Sequence, residues 1–130
     1  MNSHQMAEPS EWVRRWSHLI RSDASVLDIA CGSGRHMAWF SQRGCRVTGI
    51  DSSPEALDCA GAFGTTVLAD IENGPWPLKV DHVPQHFDVA VVTNYLWRPT
   101  FQRILDSLGP GGLLLYETFT QGNETVGKPS

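Results

Sequence analysis

The chain has 130 residues, room for one domain rather than two. Hydrophobic residues make up 41% and charged residues 18%, a globular balance that excludes a disordered or fibrous chain. Ten basic and 14 acidic side chains leave a formal charge of −4, which argues against a nucleic-acid surface or a polybasic membrane patch. Residues 10–20 read as an amphipathic helix, with Ser10 as N-cap and Trp12, Val13, Trp16, Leu19 and Ile20 on one apolar face. Residues 25–30 are a short β-type run, and 31–34 a small-residue turn. Residues 35–43 read as a helix stopped by Gly44. His36 is expected on its surface. A second strand, 45–50, ends at Asp51. Ser53-Pro54 then opens a helix to about Phe63, Ser as cap and Pro at the first helical position.

Residues 65–69 are a third strand ending at Asp70, and the prolines at 75, 77 and 84 argue against a helix over 72–86. The near-continuous apolar run Phe87-Asp88-Val89-Ala90-Val91-Val92-Thr93 suits a strand covered on both faces. Pro99 opens a helix through Leu108, residues 109–112 turn the chain, and 113–118 form a fifth strand. No apolar run approaches the ~20 residues of a membrane span, and residues 1–10 lack the apolar stretch of a signal peptide. The three cysteines, Cys31, Cys45 and Cys59, form no metal-type cluster. They read as reduced thiols of a cytoplasmic protein with no metal site and no membrane contact.

Strands alternating with helices imply an α/β fold, a parallel sheet with helices on both faces. Ligands on such sheets sit at the carboxyl ends of the strands. Those ends carry Asp28 with Gly32 and Gly34, then Asp51, Asp70, Asn94 and Glu117. The glycine loop lacks a Gly-Lys-Ser/Thr ending, and Met37 stands where a dinucleotide fingerprint needs a small residue. Asp28 would repel a pyrophosphate but attract a cation. Asp51 is placed for the two ribose hydroxyls of an adenosine. Asp70 is placed for the adenine amino group, with apolar Ile71 against the ring. The implied ligand is an adenosine with a positive amino-acid tail, S-adenosylmethionine.

Five segments in order carry a resemblance: VLDIACGSGRH at 26–36, VTGIDSSPEAL at 47–57, VLADIE at 67–72, FDVAVVTNYLW at 87–97 and LGPGGLLLYET at 108–118. The chain resembles a class I (Rossmann-like) S-adenosylmethionine-dependent methyltransferase over roughly residues 10–118. CGSGRH and NYLW are most similar to the bacterial tellurite-resistance type. The resemblance implies strand order 3-2-1-4-5, with the cofactor domain at 25–118, an N-terminal helix packed on it within 1–24, and a loose tail at 119–130. It places Asp28, Ala30, Gly32 and Gly34 in the cofactor loop, Asp51 and Ser52 at the ribose, and Asp70 and Ile71 at the adenine. Asn94 would lie under the methionine moiety. Arg14 either flanks the first helix in solvent or reaches the cofactor carboxylate. Trp76 and Trp97 are candidates for the pocket wall.

The implied activity is in-line methyl transfer to a small-molecule acceptor, with Glu117 and Tyr95 as candidates for acid–base work. The family's sheet has seven strands; this chain supplies five, lacking the last two. The expectations are therefore a truncated chain, a minimal domain completed as a homodimer through the open fifth-strand edge, or a degenerate, non-catalytic cofactor-binding or assembly module.

Overall fold

The computed structural model describes residues 8–93 and 98–117. Their elements in chain order are α1 (Glu11–Trp16), a 3-10 turn (Ser17–Leu19), β1 (Ser25–Ile29), α2 (Arg35–Gln42), β2 (Arg46–Asp51), α3 (Pro54–Ala60), β3 (Thr65–Leu68), β4 (Lys79–Val80), β5 (Val83–Pro84), β6 (Phe87–Thr93), α4 (Arg98–Asp106) and β7 (Leu108–Glu117). Five strands form one parallel sheet in the order β3-β2-β1-β6-β7. This is the expected 3-2-1-4-5 order, with β4 and β5 set apart as a small antiparallel hairpin. The order reverses between β1 and β6, so the strand ends open a crevice there.

The side-chain period of two sends alternate residues to opposite faces. On one face Val26, Val47, Val89, Val91 and Leu115 pack with Val13 of α1, Met37 and Phe40 of α2, and Leu57 and Ala60 of α3. On the other, Leu27, Ile29, Ile50, Ala90 and Val92 pack with Ile104 of α4, Ile71 and Trp76. Among the described residues, three helices thus cover one face and one helix the other.

Local chemistry sets the helix starts. The Ser10 hydroxyl accepts from the Val13 N–H at 3.0 Å, and the Ser53 hydroxyl from the Ala56 N–H at 3.2 Å. Pro54 occupies the first turn of α3, as expected. α1 is shorter than its apolar periodicity suggests. It tightens into the 3-10 turn, where the Ser17 hydroxyl donates back to the Val13 carbonyl at 2.7 Å. α3 likewise ends at Ala60 rather than near Phe63.

Two segments depart from expectation. The proline-rich stretch 72–86 contains the β4–β5 hairpin, whose turn residues Asp81 and His82 have φ of 53° and 68°. Residues 109–112, expected as a turn, lie within β7. Phe87 pairs with Leu108 and Val89 with Leu113, so the Gly-Pro-Gly-Gly segment bulges out while pairing resumes beyond it. Beyond β6, no other strand pairs with β7 among the described residues. Phe101 and Leu105 on neighbouring α4 are 36% and 37% exposed.

Candidate functional site

The carboxyl end of β1 runs into a tightly determined loop. Ala30 holds φ 57°, Gly32 58° and Gly34 98°. The Cys31 N–H donates to the Ile50 carbonyl at 2.9 Å, and the Gly34 N–H to the Cys31 carbonyl at 3.1 Å. A left-handed conformation is easy for glycine and costs an alanine about 1 kcal/mol, so Ala30 is a strained point at the mouth of the site. A Cβ on Gly32 would meet nothing within 4 Å, so the loop faces open space. A Cβ on Gly34 would stand 3.1 Å from Ala60 and 3.2 Å from Phe63, so that glycine lets α3 approach the start of α2.

Asp51, at the end of β2, ties the loop to the next strand. Its Oδ2 accepts the Gly32 N–H at 2.7 Å and its Oδ1 the Ser53 N–H at 3.0 Å. Both bonds orient the carboxylate and leave each oxygen a lone pair for an incoming hydroxyl. Beside it lies a cleft of about 290 Å³ lined by Ala30, Ile50, Asp51 and Ser52 and by Ala69, Asp70, Ile71, Glu72 and Asn73. Such a volume suits a nucleoside-sized group. Asp70 builds the cleft's far wall by capping a turn. Its Oδ1 accepts the Glu72 and Asn73 N–H groups and its Oδ2 the Asn73 side-chain amide at 3.0 Å. These bonds, led by that of the Asn73 side chain, lower its pKa. Asp51 thus also braces the start of α3 and Asp70 caps a turn, and both residues line the cleft.

Asp28 is 2% exposed, and neither of its carboxylate oxygens has a hydrogen-bond partner in the fold. Burial pushes its carboxyl up to about 8, partly offset by the Arg35 guanidinium and reinforced by Asp51. An orphaned, buried carboxyl at the top of β1 fits a ligand that brings a cation. Burial, with Asp28 and Asp51 nearby, also raises the Cys31 thiol to about 12, so it is inert.

His36 corrects an expectation. It is 2% exposed rather than on the helix surface. Its Nε2 accepts the Ser10 N–H at 2.9 Å, while Nδ1 lies 3.5 Å from the Thr93 hydroxyl. An acceptor Nε2 requires a neutral ring protonated at Nδ1. Burial, with Arg35 adding to it, lowers its pKa to about 4. His36 thereby joins the start of α1, the start of α2 and the end of β6. The signal in the sequence was its spacing: His36, Met37 and Phe40 form the buried stripe of α2.

A second opening of about 660 Å³ lies between α1 and β7, lined by Glu11, Trp12, Arg14, Arg15 and Glu117. Period-two alternation from Leu113 and Leu115 puts Glu117 on the face that α1 covers. Arg14 and Glu117 therefore line one opening, and Arg14 is not among the residues that line the cleft beside Asp51. Arg14 pairs loosely with Glu8 at 3.8 Å, and Arg15 lies over the Trp16 ring. Trp76 packs in the core opposite α4 and lines a third cleft with Lys79 and Arg103, away from the glycine loop. Asn94, Tyr95 and Trp97 lie outside the described residues. Among the described residues no group of three His, Cys, Asp or Glu could hold a metal ion, and no helix is long and apolar enough to cross a membrane.

Comparison with known proteins agrees with this geometry. Residues 26–112 match the family model described as a methyltransferase domain. Among curated proteins, the chain is 33% identical over 111 residues to a malonyl-[acyl-carrier protein] O-methyltransferase of Salmonella typhimurium, covering 79% of this chain and 42% of that protein. It is 31% identical over 119 residues to a tRNA U34 carboxymethyltransferase of Desulfotalea psychrophila, covering 83% and 37%. Among solved structures, a TehB-like SAM-dependent methyltransferase from Corynebacterium glutamicum superposes with a TM-score of 0.65 at 25% identity, covering 78% of this chain and 58% of that one. The chain thus spans about half the length of the relatives it matches. A parallel β3-β2-β1-β6-β7 sheet, a glycine loop at its switch point and a family match over two thirds of the sequence lead to one conclusion: this chain belongs to the class I, Rossmann-like S-adenosylmethionine-dependent methyltransferase family.

Proposed function

We propose that this chain binds S-adenosylmethionine between the glycine loop and the cleft beside Asp51, and directs its methyl group to a small-molecule acceptor. The observation that carries this reading is the cleft itself, where an oriented carboxylate, Asp51, meets the buried apolar wall of Ile50 and Ile71. Asp51 would accept the ribose hydroxyls while its own backbone partners hold it still. Ile71 would cover the adenine, with Ser52 and Asp70 at its edges. Asp28, Ala30, Gly32 and Gly34 would shape the path of the amino-acid tail, with Asn94 beneath it.

When bound, the cofactor supplies an activated sulfonium methyl, so the protein contributes mainly position and exclusion of water. The opening between α1 and β7 is the acceptor side. There Glu117 would take a proton from an acceptor that arrives as an alcohol or ammonium, and Tyr95 is the next candidate. Arg14 would hold an anionic group, on the cofactor or the acceptor. The formal charge of −4 favours a small molecule over RNA, whose phosphates need a basic surface. The free thiols suit the cytoplasm.

Titration of the chain with S-adenosylhomocysteine tests the reading. Micromolar binding supports it, and Asp51→Asn should weaken that binding roughly ten- to hundredfold, as loss of charge-assisted hydrogen bonds does. No binding by a folded chain would sink it. The edge of β7, which no strand covers among the described residues, favours a second reading, a non-catalytic cofactor-binding or assembly module that pairs edge to edge as a homodimer. Accumulation of S-adenosylhomocysteine from S-adenosylmethionine and an acceptor separates the two.

A further inference from the structure

Asp28 is dressed for a charge that the fold itself does not provide. β1 is enclosed by β2 and β6, where Asp28 stands opposite Gly49 and Val91. The face it shares with Val26 is packed by Val13 of α1, Met37 and Phe40 of α2, and Leu57 and Ala60 of α3, all uncharged. The charged and titratable groups acting on it are Arg35 at the start of α2, Asp51 at the end of β2 and the Cys31 thiol in the loop. Arg35 spends a donor on the Glu8 carbonyl at 2.9 Å, and Asp51 adds to the cost of a negative charge there rather than offsetting it. His36, the remaining titratable group of α2's first turn, is neutral because its Nε2 accepts a backbone N–H. With both oxygens unpartnered and out of water, ionised Asp28 would be an uncompensated buried charge, and such groups take up a proton instead.

We propose that Asp28 is a neutral carboxylic acid in the free chain and releases its proton to solvent when the ammonium of the cofactor's amino-acid tail settles beside it. The inference rests on the reading of the site as an S-adenosylmethionine site. The balance is simple: a carboxylic acid and an ammonium become a carboxylate–ammonium pair, and one proton leaves to the buffer. Cofactor binding is then linked to pH. Since burial holds the free carboxyl at about 8, affinity rises about tenfold per pH unit from pH 6 toward 8, and it falls again at higher pH as the ligand's own ammonium loses its proton. The same linkage gives selectivity, because an adenosine without the cationic tail offers nothing to compensate the charge and leaves Asp28 protonated.

Calorimetric titration with S-adenosylhomocysteine at pH 7, in two buffers of different ionisation enthalpy, counts the protons. The expected result is release of about one proton, none with adenosine, and none from the Asp28→Asn variant. Binding of S-adenosylhomocysteine without proton release overturns the inference and leaves the site reading standing. Equal release from Asp28→Asn overturns it too, since the proton then comes from elsewhere. No binding at all removes the site reading and the inference with it. A ligand-free measurement stands apart. The infrared difference between wild type and Asp28→Asn at pH 7 should show a protonated carboxyl band, and its absence overturns the inference even where binding is tight.

Discussion

The two halves of the sheet are built differently. At the ends of β2 and β3 the carboxylates are held by backbone, and Asp28 on β1 is the exception. Asp51 is fixed by two N–H donors, Asp70 by two more, and the loop by glycines in conformations other residues resist. On the other side, Arg14 and Arg15 of α1 are exposed at the opening toward β7, and among the described residues no strand pairs with the outer side of β7. The first half holds its carboxylates in fixed positions before any ligand arrives, as the proposed cofactor site requires. A family that keeps one cofactor and changes acceptors has reason to be divided this way.

Substitutions on either side should break the comparison in different observables. The largest expected effect lies at the opening between α1 and β7, the proposed acceptor side. Glu117→Gln should lower turnover about 10²–10⁴-fold, the usual worth of a general base, while leaving the calorimetric affinity for S-adenosylhomocysteine unchanged. Equal loss in both would place Glu117 with the cofactor instead. In the cofactor half, Gly34→Val forces a branched side chain into φ 98° and against Ala60 and Phe63. It should cost about 3 kcal/mol in urea unfolding and weaken cofactor binding with it.

A smaller effect comes from pH. Asp28 has a raised pKa in the fold, so its contribution to stability is full below 3.8 and is lost as pH rises through about 8. His36 has a lowered one, so its contribution is full above 6.5 and is lost as pH falls toward about 4. Between about pH 4 and 6.5 the two slopes oppose each other. Above 6.5 only Asp28 remains, and the free chain should lose about 2 kcal/mol by pH 8. Urea midpoints across that range measure it, and Asp28→Asn should flatten the alkaline limb. Ser53→Ala sharpens the contrast least. It removes the cap of α3 and should cost about 1 kcal/mol, read as a shift in the unfolding midpoint alone.

Much of the cofactor half was legible because its signals are local. Gly32 and Gly34 announce a turn, Ser53-Pro54 a helix start, and each acidic strand end follows an apolar run. His36 was misread because a histidine beside an arginine in a helix's first turn looks solvated. Its burial depends on Ser10, 26 residues away, and Thr93, 57 away. The hairpin at Lys79–Pro84 was hidden by prolines, which exclude a helix but permit a short edge pairing. Arg14 could not be placed from its helix, since an amphipathic pattern says which face is buried but not which strand lies beneath.

By itself the sequence determined the alternation of strands and helices and which residues stand at the strand ends, while the five-strand order came from the family resemblance. Periodicity, capping and turn chemistry act within a few residues and survive in a linear text. Only the tertiary structure decided that Asp28 has no partner among the described residues, that His36 is neutral and buried, and that Arg14 shares an opening with Glu117 rather than lining the cleft beside Asp51. Those are properties of desolvation and of approach between distant segments, and burial exists only once the sheet and its helices have closed on one another.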